Sequence, residues 1–188
     1  MRDRDTDAQV LKRIGEGDTS AFRIVVEKYK DTSFSLACSI LKNPEDAEDA
    51  LQEAFIKVYR NARQFRVDSL FSTWLYRIVV NTCLNAKEKN KSYVQEEVLK
   101  SKESGLKSGL DALIEEERRV YVLRALEIMK RDESLLLRLY YLCDLKVVEI
   151  VEITGFSESN IKVILHRARK NLSQLLEKLT GNDKRSLL

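Results

Sequence analysis

A chain of 188 residues has the length of one domain or two small ones, and with 44% hydrophobic and 34% charged residues it is too apolar to be disordered. It holds one proline and six glycines, where an average chain of this length holds about twenty of the two together. That scarcity argues against a sandwich or barrel of many short strands and favours an all-α protein. The formal net charge is +3 and the pI about 8.7, too modest to mark a nucleic-acid binder by itself, so the distribution of charge carries the information.

The first residues, MRDRDTDAQ, lack the apolar stretch of a secretory signal, and no run approaches 18 apolar residues, so membrane insertion is not expected. Gly15 and Gly17 lie in a turn, GEGD. Asp18 or Thr19 then caps a helix to about Lys42, with Phe22, Val25, Val26, Tyr29, Phe34 and Leu36 as its apolar positions. The lone proline starts the next helix: Asn43 caps it, Pro44 takes the first position, and Asp46 lies three residues after the cap. This helix runs to about Arg63, with a stripe of Ala47, Ala50, Leu51, Ala54, Phe55 and Val58. After the break QFRVDS, Asp68 or Ser69 caps a helix lined by Phe71, Trp74, Leu75, Ile78, Val79 and Thr82.

From Lys87 to Ser108 no helical stripe persists, and the core of that stretch reads as a flexible linker. Beyond it the pattern gives helices over about 111–130, 133–143, 147–154 and 158–180. A short helix, Gly155-Phe156-Ser157 and a long helix form the pattern of a helix-turn-helix. Ser157 is its N-cap, Phe156 and Ile161 its hydrophobic staple, and Ile161, Ile164, Leu165, Ala168, Leu172, Leu175, Leu176 and Leu179 its inward stripe. Cys38, Cys83 and Cys143 are widely spaced, with no C-x-x-C pair, which fits free thiols in a reducing cytoplasm. His166 is the only histidine, so no metal site, catalytic cluster or cofactor is implied.

Three constellations stand out. Glu45, Asp46, Glu48, Asp49 and Glu53 form an acidic block without a base, and Asp46, Asp49 and Glu53 share a helix face. Such a block is either favourable helix-start charge on a solvated surface or a docking face for a basic protein. From Lys57 to Lys91, eight Lys or Arg face two acids, with Phe65, Phe71, Trp74 and Tyr76 interleaved. Single-stranded DNA binders combine cations for phosphates with apolar or aromatic acceptors for unstacked bases. Phe71 and Trp74 read as core, whereas Ser72, Thr73, Tyr76 and Arg77 fall off the apolar stripe and are the contact candidates. Last, Lys162, His166 and Arg169 form one stripe of the final helix, flanked by Ser159, Val163, Arg167 and Lys170, with no acid between Ser159 and Lys170. That suits a major-groove helix whose first side chains reach bases and whose later cations hold phosphates.

In this order the three resemble the bacterial sigma-70 superfamily, specifically the small extracytoplasmic-function (ECF, group 4) sigma factors. The carrying segments are DAEDALQEAFIKVYRNARQFR at 46–66, STWLYRIVVNTCLN at 72–85 and VVEIVEITGFSESNIKVILHRARKNLSQLL at 147–176. The resemblance implies region 2 over 1–88, a linker over 89–111, region 4 over 112–180 and a tail over 181–188. It implies a non-enzymatic promoter-specificity subunit whose partners are core RNA polymerase (β′ clamp helices and β flap), promoter DNA and an anti-sigma factor. By the same resemblance Asp46, Asp49, Gln52, Glu53, Phe55 and Arg60 fall on the core-polymerase contact. Arg66, Asp68, Ser69, Ser72, Thr73, Tyr76, Arg77 and Asn81 fall where the −10 element is read. Ser157, Ser159, Asn160, Lys162, Val163, His166, Arg167 and Lys170 fall on the −35 contact. Val163 and Ile164 replace a small polar residue and an arginine usual in the family, which implies one fewer −35 cation. A conventional helix-turn-helix regulator, binding duplex DNA without polymerase, is the alternative; it leaves the segment from Phe65 to Asn81 unexplained.

Overall fold

The computed structural model describes residues 4–65, 70–91 and 110–183, and all its regular elements there are helical. They are α1 (Arg4–Gly15), α2 (Thr19–Leu41), α3 (Pro44–Asn61), α4 (Phe71–Lys91), α5 (Leu110–Ile128), α6 (Arg131–Leu137), α7 (Val147–Thr154) and α8 (Glu158–Asp183). Among the described residues no helix is long and apolar enough to cross a membrane.

Helices α2, α3 and α4 pack against one another as a three-helix unit, with α1 laid along α2. Short side chains on α3 allow the close approach: Ala47, Ala50 and Ala54 are buried, and Phe55 and Val58 fill the space beyond them. Asn43 Oδ1 accepts from the backbone N–H of Glu45 at 2.8 Å and of Asp46 at 3.4 Å, and Pro44 occupies the first turn. The cap therefore satisfies two N–H groups that no carbonyl of the helix can reach. At the start of α2 the cap is Asp18, not Thr19: its Oδ1 accepts from Ser20 N and Ala21 N, and its Oδ2 pairs with Arg13 at 2.7 Å. Hydrogen bonds from Ser20 and Arg13 hold this carboxyl well below its ordinary pKa.

Helix α1 was not expected from the sequence. Only Leu11 and Ile14 provide its buried anchor, too short a stripe to register as a period. The Arg63 guanidinium donates to the Gly15 carbonyl and closes α1 onto the turn 62–64. Helix α4 extends further than expected, to Lys91, and α5 begins at Leu110; the intervening linker expectation lies outside the described residues.

In the C-terminal part α8 is the spine, with α5, α6 and α7 packed around it. Ile161, Ile164, Leu165 and Ala168 are buried, as expected, and Leu172, Leu175, Leu176 and Leu179 are half-buried. The segment expected as one helix to Cys143 instead begins at Arg131 and changes pitch at Arg138. There a π-type turn runs over Arg138–Leu142, with Cys143 N bonded to Arg138 O at 3.0 Å. Asp144, in the left-handed region at φ 51°, ends it. Gly155 at φ 72° ends α7, its N–H bonded to Val151 O at 2.9 Å, and turns the chain into α8.

The two helical units share one apolar core, because α7 packs on α4 and α6 on α2. Polar contacts cross the seam too. Thr73 Oγ1 donates to Glu149 Oε1 at 3.1 Å, Arg138 Nε to Ser35 Oγ at 2.8 Å, and Lys42 Nζ to the Glu127 carbonyl at 2.8 Å.

Asn43→Ala removes two hydrogen bonds of a helix start and is expected to cost about 1 kcal/mol. Gly155→Ala forces a Cβ into the left-handed region and is expected to cost about 1 kcal/mol as well. Each should lower the melting temperature by roughly 2–4 °C, read by circular dichroism at 222 nm.

Candidate nucleic-acid interface

Three surfaces carry the expected contact residues. On α3, Asp49, Gln52, Glu53 and Arg60 are exposed, and Asp46 is half-buried. Glu53 pairs with Lys57 at 2.7 Å, one turn on; this bond and the lysine charge hold the Glu53 carboxyl below its ordinary pKa. Asp46 and Asp49 sit near the helix N-terminus, where the backbone dipole favours anions. Phe55 is buried, as its place in the apolar stripe of α3 led us to expect, and so is not itself part of the exposed face. It is 8% exposed and meets the Phe22 ring edge-on at 6.4 Å between centroids, so it shapes the face from below. Sequence reasoning missed the apolar neighbours of this face: Ile56 and Tyr59 are both exposed. Their exposure depends on how α2 covers α3, which helical spacing does not encode.

On α4, Arg77 and Asn81 are exposed and Ser72 is half-buried. Thr73 and Tyr76 correct the reading that they lie off the buried face: they are 2% and 4% exposed. Tyr76 stacks edge-on against Tyr29 at 5.9 Å, and Thr73 is covered by Glu149 of α7. Phe71 is buried as expected, and Trp74 is half-buried beside Phe65, 5.4 Å between centroids. Arg66, Asp68 and Ser69 lie outside the described residues.

On α8, Ser157, Ser159, Asn160, Lys162, Val163, His166, Arg167 and Lys170 are all exposed. Ser157 Oγ accepts from Asn160 N at 3.3 Å, so the residue expected as the cap serves that role. Lys162 pairs with Glu158 at 2.6 Å, both side chains solvated, which leaves its charge free to exchange partners. Arg169 departs from the expected stripe. Its guanidinium lies over the Tyr140 and Tyr141 rings and its Nε donates to the Tyr141 hydroxyl at 2.8 Å. It buttresses the π-type turn. Ile164 is 7% exposed, so it faces the core; an arginine's absence there removes nothing from the outward face of α8. The outward face thus presents His166, Arg167, Lys170 and an apolar Val163 on a rigid helix, a chemistry suited to a major groove.

Family comparison agrees with this geometry. Residues 25–93 match the model of sigma-70 region 2, and residues 119–172 match that of sigma-70 region 4. The chain is 32% identical over 183 residues to the ECF RNA polymerase sigma factor SigW of Bacillus subtilis, across 90% of this chain and 96% of that protein. It is 31% identical over 189 residues to the ECF RNA polymerase sigma-E factor of Escherichia coli, across 95% and 98%. The chain belongs to the ECF sigma factors.

Two solved structures share the fold of this sigma factor. One is CnrH in complex with the cytosolic domain of CnrY, at a TM-score of 0.64 and 21% identity, across 93% of this chain and 99% of the other. The other is RpoE with the anti-sigma factor NepR from Bartonella quintana, at 0.65 and 20%, across 83% and 96%.

Among the described residues no cluster of His, Cys, Asp or Glu is built to hold a metal ion. The thiols sit in the packing of this sigma factor. Burial pushes the Cys83 thiol up to about 12 and the Cys38 thiol up to about 11. A raised pKa favours the thiol over the reactive thiolate. Maleimide labelling at neutral pH should therefore be roughly 100-fold slower at Cys38 than at an unperturbed cysteine, and slower still at Cys83. Mass spectrometry of the labelled protein, native against denatured, reads the difference directly.

Proposed function

We propose that this ECF sigma factor docks on core RNA polymerase through the acidic face of α3, reads the −10 element with α4 and the segment before it, and reads the −35 element with α8. One observation carries the reading. A single chain presents an exposed acidic helix face and, on a separate helix-turn-helix, an exposed face from Ser159 to Lys170 without an acid.

The division of labour follows from charge. Carboxylates on α3 suit a basic protein surface and repel phosphates. Cations on α8 displace counterions from duplex DNA, while Val163 offers an apolar contact for a thymine methyl. At −10 the duplex must open. Holding an unstacked base costs a few kcal/mol, offset by pocket contacts and by cations along the freed strand. Arg77 and Asn81 are the outward groups of α4 for that strand. Promoter opening needs binding energy and no catalytic cluster, so the subunit works without chemistry of its own. Its action belongs in the cytoplasm, where the polymerase is, and a structure of the same fold, the sigma factor RpoE of Bartonella quintana solved with the anti-sigma factor NepR, supports control by such a partner here.

The test is reconstitution of the purified chain with core polymerase on a library of promoter fragments. Specific run-off transcripts are expected; absence of both polymerase association and transcripts would sink the reading. Asp49→Lys with Glu53→Lys should abolish core association while leaving the helical signal intact. Lys162→Glu and Arg167→Glu should weaken duplex binding across sequences and flatten its salt dependence by about one unit of slope per cation. The conventional-regulator alternative requires tight duplex binding by the free chain and no effect of the α3 reversals.

A further inference from the structure

Several cations of this chain gather where the end of α4, the turn from α5 into α6 and the middle of α8 meet. A hollow of about 430 Å³ opens there to solvent. Lys87 reaches its wall from α4, Lys130 and Arg131 from the start of α6, and Arg167 with the apolar Ile164 from α8. Three stretches far apart in sequence supply these groups, so no local run of charge marks the place.

Two carboxylates share the wall, and both are already engaged. Asp132 Oδ1 accepts from Arg131 Nε at 2.8 Å, and Glu133 Oε2 accepts from Asn171 Nδ2 at 2.8 Å. Lys87 Nζ donates to the Ile40 carbonyl at 2.7 Å, which fixes its ammonium at the wall. Lys130 and Arg167 are exposed, and among the described residues neither charged group has a hydrogen-bond or ion-pair partner. Positive charge is crowded here beyond the wall itself. Burial lowers the pKa of the nearby Lys42, and the Arg138 and Lys87 charges lower it further, against the opposing charge of Glu127. Like charges in a concave, partly enclosed place focus their field on it and draw in counter-ions.

The geometry points to this hollow as a binding site for a compact polyphosphate anion, held by Lys87, Lys130, Arg131 and Arg167. Arginine offers phosphate a planar fork of donors and lysine a point charge, so the set suits oxygens spread along a short phosphate chain. The volume is that of a small-molecule site and more than a single phosphate needs. A DNA duplex is too wide to enter it. Inorganic polyphosphate and a nucleoside polyphosphate share the required chemistry; they differ in whether a base lies against Ile164. Arg167 also stands on the face of α8 assigned to the −35 element, so an occupied hollow withdraws one cation from duplex DNA. That consequence rests on the assignment of α8, whereas the site itself does not.

The experiment titrates the full chain with sodium tripolyphosphate and, separately, with ATP free of divalent cations, by isothermal titration calorimetry at fixed ionic strength. The site variant is Lys130→Glu with Arg131→Glu, neither residue belonging to the docking or DNA-reading sets. Lys12→Glu with Lys28→Glu, on α1 and α2, controls for overall charge. Circular dichroism checks that each variant keeps its helices, and Lys130→Gln with Arg131→Gln stands in if the reversal unfolds. Wild type and control are expected to bind saturably, and the site variant roughly tenfold or more weakly. No saturable binding by wild type, or an equal loss in site variant and control, overturns the site. Equal affinity for the two probes identifies the phosphate chain alone as the ligand; tighter ATP identifies a nucleotide seated on Ile164. Fluorescence anisotropy of a labelled random-sequence duplex then reads Arg167. Tripolyphosphate is expected to release duplex from wild type at concentrations that leave the site variant's complex intact. Saturable binding without that selective release overturns the sharing of Arg167. A duplex that never binds overturns the assignment of α8, and the calorimetry stands apart from it.

Discussion

Helix α4 has to bury more than one face. Leu75, Val79, Val80 and Cys83 are fully buried, along with Thr73, Tyr76 and Thr82, so little of the helix is left to water before Arg77 and Asn81. Its neighbours are α2 and α3 within its own unit and α7 from the other. A helix that buries this much needs polar side chains whose hydrogen bonds are met inside, since an unmet buried hydroxyl costs about 1–3 kcal/mol. Thr73 meets Glu149 and Thr82 meets the Lys57 ammonium at 3.2 Å. The same Glu149 caps α7 by accepting from Lys146 N at 2.6 Å. One carboxylate thus fixes the start of the helix-turn-helix and its contact with α4.

The helices whose signals are local were legible in the sequence. Asn43 and Pro44 define the start of α3 within four residues, and Gly155 with Ser157 defines the turn into α8. The inward stripe of α8 was readable because Ile161, Ile164, Leu165 and Ala168 repeat at helical spacing. The acidic face of α3 and the exposed face of α8 followed from the same periodicities, as each is the complement of a clear apolar stripe.

What escaped depends on partners distant in sequence. Thr73 and Tyr76 looked like surface positions because small polar and tyrosine side chains break the apolar stripe. Their burial comes from Glu149 and Tyr29, 76 and 47 positions away. Arg169 fitted a cationic stripe, but Tyr141, 28 positions earlier, claims its guanidinium. Ile164 faces inward, as its helical spacing indicated, so the family difference at that position does not touch the outward face. The extra residue of the π-type turn shifts Arg138 to Leu142 out of register with α6, and composition carries no trace of such a shift.

The Thr73–Glu149 contact also constrains how this chain could diverge. Thr73 belongs by its backbone to α4 and by its hydroxyl to α7, so two packing demands fall on it at once. A change there alters the packing of α4 and the seat of α7 upon it together. A change at Glu149 that frees Thr73 also weakens the cap of α7 and so disturbs the start of the helix-turn-helix. The packing of α4 and the start of the helix-turn-helix are therefore not independent traits in this protein. Substitution is freer at Arg77 and Asn81, which are exposed and take no part in that contact.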